Sequence, residues 1–111
     1  MTKDQLFKIH DITVSSVACE WGEVHVKSMS GADRSRFKSI TDVLVKNGHE
    51  ADADTWLVIF TLCDEAGNRL LSDGDFALVN ERSASVLSVV ATAALRHNGL
   101  LPEAIEDAKK N

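Results

Sequence analysis

The polar and apolar positions fall into a small number of periods. In residues 21 to 28, Val24 and Val26 alternate with Glu23, His25 and Lys27, the two-residue period of a half-buried strand, with Gly22 at its edge. Residues 6 to 14 are also rich in Ile, Val and Thr. Together they predict an N-terminal β-hairpin or small sheet over residues 6–28, with its turn within residues 15–20. The period then changes. Phe37, Ile40 and Leu44 recur at helical spacing and predict an amphipathic helix over residues 31–46 that turns this stripe inward. Ser30 is its N-cap, able to accept the Asp33 backbone N–H, and Asp33 is favourable near the positive end of the helix dipole. Asn47-Gly48 stops it, since both residues tolerate the left-handed conformation of a helix end.

From Thr55 to Cys63 almost every position is apolar. The β-branched and aromatic content argues for a strand, the length and the preceding Asp52 cap for a helix, and a buried central helix is the reading adopted. Asp64-Glu65-Ala66-Gly67-Asn68 is turn chemistry. Ser72-Asp73-Gly74-Asp75 opens a short helix carrying Phe76, Leu78 and Val79. Ser83 caps a longer helix with Val86, Val89, Val90 and Ala93 as its inner face. Gly99 ends it in a Schellman turn that brings Leu100 to Leu95, and Arg96 and His97 place positive charge in the last turn. Pro102 opens a final short helix to about Asp107. The fold class expected is α+β, mainly α: a small N-terminal sheet (6–28), a helical core (30–98) and a short C-terminal helix or tail (101–111), in a single domain.

Composition narrows the function more than the fold. The 111 residues suit one domain that needs neither disulfide nor metal to fold. Cys19 and Cys63 lie among apolar or small residues outside any C-x-x-C pair and read as free thiols in a reducing compartment. The net charge of −5 and the lack of a basic run argue against nucleic acid; Asp33 and Asp42 interrupt Arg34, Arg36 and Lys38. No apolar stretch reaches the length of a membrane span and no signal peptide is apparent, so a cytosolic protein without membrane contact is expected.

Catalytic and cofactor patterns are not found. Asp64, Glu65 and Asn68 lack the glycine placement and terminal glutamate of a calcium loop. His10, His25, His49 and His97 show no metal-ligand spacing; His10 and His25 would approach across the hairpin, and no metal site is expected there. No serine sits in a nucleophile elbow, and no glycine-rich loop cradles phosphate. The expectation is a non-enzymatic domain without cofactor that acts by binding. Trp21 is the sharpest candidate: an interface anchor on one reading, a cover for the core edge beside Val24 and Val26 on the other. Ala91, Ala93 and Ala94 admit close approach of a helix, within the chain or from outside it.

The stretch Trp21-Gly22-Glu23-Val24-His25-Val26-Lys27-Ser28-Met29-Ser30-Gly31-Ala32-Asp33-Arg34 resembles the strand-to-helix signature of tail assembly chaperones of long-tailed bacteriophages and prophages, W-G-x-V-x-V running into M-[ST]-G-A-[DE]-R. Further matches come in order along the chain. Leu62 to Asn68 is similar to the family's L-x-D-E-x-G-N turn, with Asp64, Gly67 and Asn68. Ser72-Asp73 is similar to its T-D-E-D helix start, Leu95 to Leu100 (with Asn98 and Gly99) to its L-R-x-N-G-L, and Lys110-Asn111 to its terminus. Gly74 stands where an acidic residue is usual and Leu71 where an aromatic is usual.

The resemblance implies a protein that coats the tape measure protein and keeps it soluble until the tail tube protein polymerises around it. It also implies self-association into oligomers, a location in the host cytoplasm and absence from the mature virion. A longer form made by ribosomal frameshifting would reach the tail tube protein, and Lys109-Lys110-Asn111 is compatible with a slippery run. Protein contact is expected at Trp21, Val24, His25 and Val26. Gly22, Met29, Ser30, Gly31, Asp33, Asp64, Gly67, Asn68, Ser72, Asp73, Asn98 and Gly99 are expected to be structural. The competing reading is a structural subunit of the tail or head–tail connector.

Overall fold

The hairpin forms further along the chain than the composition suggests. Strands β1 (Val14–Cys19) and β2 (Gly22–Lys27) are antiparallel, with Val17 opposite Val24 and Cys19 opposite Gly22. In the computed structural model, which describes residues 1–101, the connection is Glu20-Trp21. Gly22 has φ +99° while no non-glycine residue among the described residues has positive φ, so the left-handed bend of the turn falls on Gly22. The turn, expected somewhere within residues 15–20, thus takes the last of these positions together with Trp21, and residues 15 to 19 are strand. Their small polar side chains are matched: Ser15 Oγ lies 2.6 Å from His97 Nδ1, and Ser16 donates to Glu23 at 2.6 Å.

The expected first strand over residues 6–14 is corrected too. Lys3–Phe7 is a short helix, α1, held by a capping box in which Thr2 N–H donates to Gln5 Oε1 (2.8 Å) and Gln5 N–H to Thr2 Oγ1 (3.2 Å). A third strand, β3 (Leu62–Cys63), pairs on the other side of β2, with His25 opposite Cys63 and Val26 opposite Leu62, giving the order β1-β2-β3. His25 thus faces Ser16 and Cys63 and not His10, which lies outside the sheet.

Helix α2 (Gly31–Lys46) starts where Ser30 Oγ accepts the Asp33 N–H at 3.1 Å. Phe37 and Ile40 lean on the core, although no residue of α2 is fully buried. The helix ends with Gly48 at φ +73°, Gly48 N–H donating to Val45 O (3.2 Å) and His49 N–H to Leu44 O (2.8 Å), the bond pair of a Schellman motif. Helix α3 (Ala53–Thr61) comes after one 3₁₀ turn (Glu50–Asp52). Asp52 holds the N-cap position without making a side-chain cap bond.

The core sits around α3. Leu57, Val58, Ile59 and Phe60 are buried, as expected for a central helix, because α2, α4 (Phe76–Val79), α5 (Ala84–His97) and β2 pack on it from different sides. Its two buried hydroxyls are satisfied: Thr55 donates to Asn80 Oδ1 at 2.6 Å and Thr61 to Leu57 O at 2.7 Å.

Helix α4 (Phe76–Val79) continues a 3₁₀ turn, Asp73–Asp75, in which Ser72 N–H donates to Asp75 Oδ2 at 2.7 Å. Helix α5 (Ala84–His97) has Ser83 at its N-cap, but the Ser83 hydroxyl pairs with Ser85 Oγ instead of a helix N–H. Its buried residues are Val86, Leu87, Val90, Ala91 and Ala94, while Val89 is exposed and Ala93 only half-buried. The expected face was thus turned away from Leu87. Because α5 packs on both α3 and the first two strands, its buried stripe widens to cover two neighbours. Gly99, at φ +67°, closes α5 with Gly99 N–H donating to Arg96 O (3.1 Å) and Leu100 N–H to Leu95 O (2.8 Å). The helix expected from Pro102 and the Lys109–Asn111 terminus lie outside the described residues.

Candidate functional site

The four residues expected to make protein contacts separate in space. Val26 is fully buried, so it belongs to the core and cannot meet a partner. Val24 is half-buried against that core, and His25, on the opposite face of β2, lies 4.0 Å from Glu23 Oε1. Trp21 differs. At the hairpin tip it packs partly on the core and also forms one wall of an open groove of about 570 Å³. Trp21 thus covers the core edge, as one reading expects, and keeps part of its large side chain at the groove.

The groove is apolar. Its floor is Val58 of α3 and Val79 of α4; Leu62 of β3, Leu71 and the largely exposed Leu70 and Leu78 complete the walls. Leu70 and Leu78 are 58% and 68% exposed, much for large apolar residues with such neighbours. Asp75 and Arg82 supply the charge at the rim. A shallow apolar trough with one charge of each sign suits the apolar stripe of a helix better than a small polar molecule. Sequence reasoning missed Leu62, Leu70, Leu71 and Leu78. The available signal was Leu70-Leu71 directly after a polar turn, and Leu78 lying one position from the buried Val79.

Two side-chain systems hold the groove walls. Behind α3, the buried Phe60 ring carries the Arg36 and Arg69 guanidiniums at 5.2 and 5.0 Å from its centroid, with Phe37 edge-on at 6.2 Å. Arg69 Nε and Nη2 both donate to Ile59 O (3.2 and 3.0 Å), capping a carbonyl near the end of α3, and Asp73 pairs with Arg36 and Arg69. Asp73, expected to be structural, thus ties the start of the α4 segment to α2. Trp56 stacks on Phe76 at 4.9 Å and secures α4 from the other side.

The turn between β3 and Leu70 is held by Asp64. Its Oδ1 accepts the backbone N–H groups of Ala66 and Asn68, both at 2.9 Å, its Oδ2 accepts Asn68 Nδ2 at 3.1 Å, and Gly67 adopts φ +88°. Lys27 Nζ anchors the loop by donating to Gly67 O at 2.7 Å. The hydrogen bond from the Asn68 backbone, then that from its side chain, hold the Asp64 carboxyl below its ordinary value of 3.8. A folded-state value below the unfolded one gives stability that is present above 3.8 and lost as pH falls through the folded value. The melting-temperature gap between the natural protein and Asp64→Asn is therefore expected to be widest near neutral pH and to close in acid. A gap independent of pH in thermal melts would count against this role.

At the far end of the sheet, Asn98 Oδ1 accepts the Met29 N–H at 2.8 Å while its Nδ2 donates to Lys27 O (3.2 Å) and Ala94 O (2.9 Å). Beside it, His97 Nε2 faces Thr13 O at 3.0 Å, so the Nε2–H tautomer donates there and leaves Nδ1 to accept from Ser15. Burial pushes the Cys63 thiol up from its ordinary value, partly offset by Lys27, and Cys19 and Cys63 are both free. Among the described residues no cluster of His, Cys, Asp and Glu could hold a metal, and no helix is long and apolar enough to cross a membrane.

The described residues form a small three-stranded sheet backed by helices, an α+β fold with an open apolar groove at the hairpin tip. The fold is similar to the solved structure of the bacteriophage HK97 tail assembly chaperone. The two share 26% identity and superpose with a TM-score of 0.63, over 84% of this chain and 94% of that one. The likeness agrees with the family signature in Trp21–Arg34. No protein-family model and no curated protein matches the chain.

Proposed function

We propose that the chain is a phage tail assembly chaperone without enzymatic activity, which binds the tape measure protein through the groove walled by Trp21, Leu70 and Leu78. The similarity to the HK97 chaperone supports the general role. The exposed apolar groove is the single observation that carries the binding mode. A tape measure is a long, largely helical and aggregation-prone chain in the family that the sequence resembles. Many shallow grooves, each covering a short apolar stripe, would keep such a chain soluble by multivalency and still let the tail tube protein displace them. In this reading the protein acts in the host cytoplasm, associates with further copies of itself and is absent from the finished particle. A longer frameshifted form recruits the tail tube protein.

The direct test is co-expression with the tape measure protein of the same phage. Soluble tape measure is expected with the natural chain and is expected to fall about tenfold or more with Leu78→Asp, because a charge replaces an apolar contact worth roughly 1.5–3 kcal/mol. Leu78 is exposed, so the variant should keep its own stability to within about 0.5 kcal/mol. Tape measure that stays soluble without the chaperone would sink the function. Tape measure that depends on the chaperone but is indifferent to Leu78→Asp would sink the groove as its site.

A further inference from the structure

A second trough runs along the outer side of α2. It encloses about 400 Å³, with Phe37 and Leu100 as its apolar walls, Gly31 and Thr41 towards its two ends, and Arg34 and Lys38 at its rim. Helix α2 is 16 residues long and yet buries none of them fully. Phe37 meets Phe60 edge-on and stays half-buried. A helix is stabilised mainly by covering its apolar stripe, and on this side the described residues supply no cover.

The chain itself arrives at this trough. Asn98 Oδ1 accepts the Met29 N–H at 2.8 Å, which sets the end of α5 beside the start of α2. Leu100 then lines the trough, and residues 102–111 follow almost at once. Their sequence places three acids, Glu103, Glu106 and Asp107, ahead of two bases, Lys109 and Lys110, with Ile105 as the one large apolar side chain. Read from its own start, α2 presents the opposite order. Arg34 and Lys38, one turn apart, are exposed and make no salt bridge among the described residues, and Asp42 comes one turn later. Of the other charges on α2, Asp33 lies in the first turn at Ser30, Arg36 pairs with Asp73, and Lys46 is past the trough. The lengths agree as well: residues 102–111 span roughly 15 Å as a helix, close to the rise of α2 from Gly31 to Asp42, and more if extended.

We infer that residues 102–111 dock back along α2 of the same chain, with Ile105 in the trough against Phe37, the acids on Arg34 and Lys38, and the two lysines towards Asp42. Exposed ion pairs contribute little each, so Ile105 carries the contact and the charges fix its direction. The reverse direction would set Lys109 and Lys110 against Arg34 and Lys38. Docking covers the open side of Phe37 and steadies α2 on the domain. It uses a face other than the groove at the hairpin tip, so it stands whatever that groove binds.

The test is NMR on the full chain. Nuclear Overhauser contacts from the Ile105 methyls to the Phe37 ring or the Thr41 methyl are expected, and they should persist on dilution. Amides 103–108 should exchange about tenfold or more slowly than in Ile105→Asp. Arg34→Glu together with Lys38→Glu should reduce that protection about three- to tenfold. Adding Glu103→Lys, Glu106→Lys and Asp107→Lys to this pair should restore most of it. Arg34 and Lys38 are exposed, so circular dichroism should show the fold intact in each variant. Exchange over residues 103–108 at the rate of an unstructured peptide, or protection indifferent to Ile105 and to the two bases, would overturn the inference. Contacts that fade on dilution would overturn it in favour of the same segment from another copy.

Discussion

Phe60→Ala is expected to lower folding stability by about 3–5 kcal/mol, a large share of what a domain of this size possesses. The ring is fully buried in the last turn of α3, so its removal leaves a cavity that a helix packed on several sides cannot collapse to fill. It also removes the surface on which Arg36 and Arg69 rest and the edge contact to Phe37. At about 4 °C per kcal/mol the melting temperature should drop by roughly 12–20 °C. Phe60→Leu restores most of the volume but not the aromatic face, and should cost distinctly less than alanine. A loss of only a few degrees for Phe60→Ala would mean that α3 is not the centre of the fold.

Asn98→Ala should cost about 2–4 kcal/mol, although it removes only a small polar side chain, because it leaves the Met29 N–H and the Lys27 carbonyl without their partner in a half-buried place. Those two groups flank the junction where β2 ends and α2 is about to begin, so their loss separates the sheet from the end of α5. Amide exchange at Met29 should accelerate more than that at Asp33, whose bond to Ser30 is local. Asn98→Asp keeps the acceptor for Met29 but presents a carboxylate to the Lys27 and Ala94 carbonyls, and should recover only part of the loss. Equal exchange at both amides would remove Asn98 from this role.

The residues that sequence reading placed well are those whose signal is local. Ser30 with Asp33, Asn47-Gly48 and Asn98-Gly99 define helix ends through bonds spanning only a few residues, and the structure forms each of them. The Trp21–Arg34 segment marks a strand-to-helix junction for the same reason: Gly22 alone takes the left-handed bend, Val26 alternates inward, and Ser30 caps helix α2. The N-terminal arm shows the limit. Ile, Val and Thr in residues 6–14 suggest a strand, but a strand requires a partner, and the partner of β2 on that side is Val14–Cys19. The local capping bonds between Thr2 and Gln5 decide the arm instead.

The sequence by itself determined both ends of α2, the C-terminal end of α5, the apolar identity of α3 and the α+β class, because caps, glycines and periodicity act over one or two turns. Only the tertiary structure decided which faces are buried and which remain open. Leu87 in place of Val89 on α5, the two-residue strand β3 and the removal of Val26 from any contact all depend on neighbours distant in sequence. The groove is the clearest case. Trp21, Leu62, Leu70 and Leu78 come from separate segments whose spacing in the chain carries no common period, and they become one surface only when β3 joins β2 and α4 docks beside α3.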